Sequence, residues 1–166
     1  MKKRVLILAL VITLLVGSGL CWVVSAQAQS RTGASSISGA GTSLIEGGTG
    51  APSFHPVETT FAFHWSNGQG HFECLALTPS ASPGSAGSGN FNTNVMYVTG
   101  PITSVSVEDT TVVFKGTANV TGLGAGSHVP FVATARSGGP GTTLVLEVSG
   151  LTFKEIVLQG QITVKG

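Results

Sequence analysis

The chain has 166 residues, of which 42% are hydrophobic and only 9% charged, with eight basic against seven acidic residues. So few charges, in no basic patch or acidic tail, disfavour nucleic acids and strongly charged partners. A composition with 24 Gly, rich in Ser, Thr and Val, suits short strands and tight turns better than helices.

The N-terminus reads as a secretory signal peptide. Lys2, Lys3 and Arg4 form a basic start, Val5 to Leu20 an apolar run, and Ala26-Gln27-Ala28 a small-residue cleavage site. Residues 1–28 are therefore expected to be removed, which places the protein outside the cell or at its surface and leaves no membrane anchor. Retention of the leader as an anchor is the alternative. Cys21 follows Leu20, which does not fit a lipidation signal. Three basic residues leave with the leader, so five basic face seven acidic in the remainder, a net charge of −2. Cys74 is then the one remaining cysteine, and an intramolecular disulfide in the mature chain is excluded. Its inward position suits a small buried hydrophobe.

Residues 29–53 are rich in Gly, Ser and Thr and read as a flexible or loosely held N-terminal segment, in which Ile37 and Leu44-Ile45 could anchor one or two short edge strands. The domain proper is expected over 54–166. Val57 to Thr78 spells two strands joined at Asn67-Gly68, the strongest short-range hairpin signal, because a type I′ turn needs positive φ at both central positions. A two-residue turn fixes the register: Ser66 faces Gln69, His64 faces His71, Phe63 faces Phe72 and Phe61 faces Cys74. Alternation then puts Phe61, Phe63, Trp65, Phe72 and Cys74 on a core face and His64, His71 and Glu73 on the other.

Residues 79–90, PSASPGSAGSGN, read as a mobile loop. Strands are expected at Asn94 to Thr99 and Ile102 to Val107, separated by a break at Gly100-Pro101, with Thr103, Val105 and Val107 on one face. Thr111 to Thr121 alternates almost completely, and Gly116 within it suggests a bulge or a close backbone approach. Strands follow at His128 to Arg136 and Thr143 to Val148. Leu151 to Leu158 reads as a short strand or one helical turn, and Gln161 to Lys165 as a last strand. Eight to ten short strands at this spacing predict a single all-β domain, an antiparallel β-sandwich or a partly open β-barrel.

Several stretches in this order carry a resemblance. FAFHW, GHFECL, GPITSVSVEDTTVVFKGTANVTG, the SGGPG turn and the terminal GQITVK together cover about two-thirds of the chain. They resemble Post-COAP-type domains, a family of secreted bacterial β-domains. The resemblance implies an extracellular β-module with no established enzymatic activity. The loop Arg136 to Thr142 lacks the aspartates that the family places beside its Pro-Gly turn, so a cation site there is not expected.

For chemistry, His64 and His71 in cross-strand register, with Glu73 diagonal to them, are the candidate metal ligands, since imidazole suits zinc or copper. Two imidazoles and one carboxylate fall short of a complete ligand set, and two solvated polar residues are the plainer reading. A blue-copper arrangement of Cys74, Met96 and His128 has the wrong spacing. Asp109 is the only aspartate and no Gly-x-Ser-x-Gly occurs, so hydrolytic catalysis finds no support. SGGPG joins two strands, whereas a phosphate cradle needs a following helix. No cofactor is expected. The sequence thus points to an exported, non-catalytic domain, structural or adhesion-like, with an unidentified protein or glycan as partner. The alternative is a ligand-binding module for glycan or metal on the outer face of the 57–78 hairpin.

Overall fold

In a computed structural model, residues 36–50, 56–79 and 91–165 are described, with the side chains of 91 and 92 left aside. The leader, the loop over 80–90 and the segment around Pro52 lie outside them. The described chain is all-β. Its strands are β1 (Ser36–Gly47), β2 (Glu58–Ser66), β3 (Gln69–Pro79), β4 (Phe91–Glu108), β5 (Thr111–Gly122), β6 (Gly126–Arg136), β7 (Thr143–Val148) and β8 (Leu151–Lys165). Each pairs antiparallel with its sequence neighbour, and β8 returns to β1, so the sheet closes into an eight-stranded up-and-down barrel. Closure removes the unpaired backbone edges that an open sheet must protect.

The β2–β3 hairpin has the expected register from Ser66↔Gln69 through Phe61↔Cys74. Asn67 and Gly68 have φ of 52° and 78°, as a type I′ turn requires. Its aromatic face is the middle of the core. Phe114 of β5 lies 4.7 Å from Phe63 and 5.6 Å from Phe72, centroid to centroid, and Phe131 of β6 lies 5.2 Å from Phe72. An eight-stranded barrel is just wide enough for such side chains to fill it. Small residues make the room. A side chain at Gly39 would collide with the Phe63 ring, so the glycine in β1 is the complement of the aromatic in β2.

Four sequence expectations are corrected. β1 is a full barrel strand with partners on both sides, not an edge strand in a loosely held segment. Gly100-Pro101 does not break β4. Pro101 lies within the run opposite His71 of β3, and the ladder absorbs the irregularity as a register shift between Ile102 and Ser104. That bulge changes the phase of the strand: Thr103 is exposed and donates its hydroxyl to the Lys115 carbonyl, while Val105 and Val107 pack against the core. Finally, 151–165 is one strand, neither a helical turn nor two separate pieces.

β8 stays continuous because Gly160 takes φ 111° opposite Gly41, where the two backbones touch too closely for any side chain. Gly160→Ala is expected to destabilise the barrel by about 1–3 kcal/mol, from left-handed strain plus collision with the Ala40 carbonyl. Urea denaturation measures this; an unchanged midpoint would mean that β8 does not press on β1 at that point.

Candidate functional site

Among the described residues, three polar ones are buried among the hydrophobic core side chains: Ser43, Thr59 and Glu155. They converge near one end of the barrel interior. Ser43 of β1 and Thr59 of β2 are direct cross-strand partners. Glu155 of β8 reaches them because the β1–β8 ladder shifts register twice, between Thr42 and Ser43 and between Ile45 and Gly47. Bulges commonly re-aim side chains beside functional sites. Phe153, Glu155 and Val157 then alternate inward, which puts a carboxyl where the pattern otherwise calls for an apolar residue.

Glu155 Oε2 lies 2.5 Å from Ser43 Oγ and 2.5 Å from Thr59 Oγ1, and the two hydroxyl oxygens lie 2.5 Å from each other. Both hydroxyls donate to Glu155 Oε2. Burial pushes the Glu155 carboxyl above its ordinary value, and the hydrogen bonds from Ser43 and Thr59 offset part of that. A void of about 10 Å³ adjoins it, roughly the room one water needs. Apolar Met96 and Phe153 share its wall with Cys74, whose thiol is likewise pushed up, first by burial and then by Glu155. Cys74 is a free, buried cysteine.

The proposed metal ligands stand elsewhere, on the outer face. His64 and His71 are cross-strand partners as expected, and all three residues are exposed. His71 Nε2 is hydrogen-bonded to Thr99 Oγ1 at 2.9 Å, and Glu73 Oε2 accepts from the Tyr97 hydroxyl at 3.2 Å. Both side chains thus have partners on β4. Among the described residues no group of three or more His, Cys, Asp or Glu is placed to hold a metal ion. The three do line one open groove of about 570 Å³, floored by Gly39, Ala40 and Ala62.

Sequence reading gives no role to Glu155, Ser43 or Thr59. The available signal was an acid in the inward phase of an alternating strand. It was hidden because Leu151 to Leu158 also read as a helical turn, in which no phase can be assigned. No family model, curated protein or solved structure matches this chain. The site's own chemistry is what bears on function.

Proposed function

We propose that this is an exported, non-catalytic binding barrel that holds one small, mainly apolar molecule at its Glu155 end, with the protonated carboxyl donating to an acceptor oxygen of the ligand. The observation that carries the reading is the buried acid itself, its pKa raised by burial, beside an apolar void that has no other charged group in its wall. A neutral buried donor favours a carbonyl or ether oxygen and rejects a carboxylate, whose desolvation it cannot offset. Eight-stranded barrels can hold one small ligand, and barrel mouths are a common place for such sites. The void as it stands has room for about one water, so a ligand is held only when the Met96 and Phe153 side chains move aside, the unbranched Met96 thioether most readily. The basic start, apolar run and small-residue site of the leader support export.

Cyclohexanone tests the reading. Added to the full chain, it should shift the NMR resonances of Cys74, Met96 and Phe153, and Glu155→Leu should abolish those shifts. No perturbation of these residues in the wild-type protein would reduce the Ser43–Thr59–Glu155 cluster to a clamp between β8, β1 and β2.

A further inference from the structure

The outer surface carries a second pattern, independent of the interior. Ser38 on β1 pairs with His64 on β2, and His64 with His71 on β3. His71 is hydrogen-bonded to Thr99 on β4, and Thr99 pairs with Asn119 on β5. Asn119 lies opposite the register shift between β5 and β6, where it shares a depression of about 140 Å³ with His128. Six strands thus contribute a polar side chain to one band running across the ladder. Measured along the curved wall at a strand spacing of about 4.8 Å, the band is about 24 Å long and passes round six of the barrel's eight strands.

Its chemistry is uniform. Hydroxyls, imidazoles and a carboxamide all have neutral forms that both donate and accept hydrogen bonds. Glu73, the acid beside the band, is engaged by Tyr97. Two surface depressions lie on the band, the 570 Å³ groove beside His64 and His71 and the smaller one at Asn119 and His128, while a third, of about 410 Å³ beside Pro130 and Glu147, lies off it. The floor of the larger is made of glycine and alanine, so flat rings can approach the sheet between the taller polar groups. Tyr97, half-buried on the same face, offers an aromatic surface with a polar tip. His128 is held at φ 57°, an uncommon conformation for a residue with a side chain and one that persists only where its surroundings impose it.

We propose that this band binds an uncharged polysaccharide laid across the strands from β1 to β6. A hydroxyl-rich, neutral, extended chain matches the band in length, in charge and in its mixed donors and acceptors. An acidic polymer would find no lysine or arginine in the band. A short peptide would instead seek a free sheet edge, and the closed barrel has none among its described strands.

Affinity electrophoresis of the full chain in native gels tests this, with dextran, hydroxyethylcellulose and soluble starch as neutral polymers and polygalacturonate as the acidic one. At least one neutral polymer should retard the protein, and polygalacturonate should not. The double variant His64→Ala/Asn119→Ala, whose side chains are exposed, should lose the retardation several-fold while melting at the wild-type temperature. Glu155→Leu should leave it intact, which separates this surface from the interior site. Mobility unchanged by all three neutral polymers, retardation by polygalacturonate alone, or retardation that survives the double variant would each overturn the proposal.

Discussion

Phe114→Ala is expected to cost about 3–5 kcal/mol of folding stability, measured by urea denaturation, the range for truncating a buried aromatic. Phe114 is fully buried, and its ring meets those of Phe63, Phe72 and Phe131. These rings come from β2, β3, β5 and β6, so the cavity left by alanine would open in the middle of the barrel, where opposite walls cannot both collapse inward without breaking the ladder. Leu158→Ala is the control. Leu158 is one of the few large apolar side chains on the surface, and its loss should fall within about 0.5 kcal/mol. A loss below ~1 kcal/mol at Phe114 would mean that the ring does not occupy the core and that β5 is displaced by one residue, since a one-residue slip exchanges the two faces.

The second large effect is on pH dependence. Glu155 has a folded-state pKa raised above its ordinary value of 4.5, so the folded protein holds this proton more tightly than the unfolded chain does. The stability tied to that difference is fully present below the ordinary value. It declines as pH rises from there toward the folded pKa, with a slope of up to about 1.4 kcal/mol per pH unit. Glu155→Gln keeps the shape and a donor but cannot ionise. The variant should therefore gain on the wild type as pH rises above 4.5, until the folded pKa is passed. Other titrating groups cancel in the difference between the two proteins. A constant difference across that range would show that Glu155 ionises as freely in the folded chain as in the unfolded one.

The two predictions rest on parts of the structure that were unequally legible in the sequence. The Phe61–Phe63–Phe72 face followed from Asn67-Gly68 alone, because a two-residue turn leaves one register and alternation does the rest. β5 was equally plain from its period of two. The β4 and β8 runs were misread as broken because Gly100-Pro101 and Gln159-Gly160 are turn-forming pairs in isolation, and only neighbouring strands that pair across them keep the backbone extended. β1 looked like linker because glycine and serine dominate it, yet those small residues are what Phe63 and the close β1–β8 approach require. The His64–His71 pairing was read correctly, while Thr99, the partner of His71, and Tyr97, the partner of Glu73, lie on a strand whose register no local rule supplied. Glu155, Ser43 and Thr59 come together only after the first and last strands meet, a contact spanning 112 residues between Ser43 and Glu155.

That meeting of first and last strands also sets how the protein faces its surroundings. Ser36 pairs with Lys165, so whatever precedes residue 36 and whatever follows residue 165 leave the barrel side by side. They leave at the end occupied by the Asn67-Gly68 turn, while Ser43, seven residues along β1, lies about 23 Å away toward the other end. A tether attached at either terminus, whether to an envelope or to a neighbouring domain, would therefore present the Glu155 end outward and leave the flank of the barrel exposed all round.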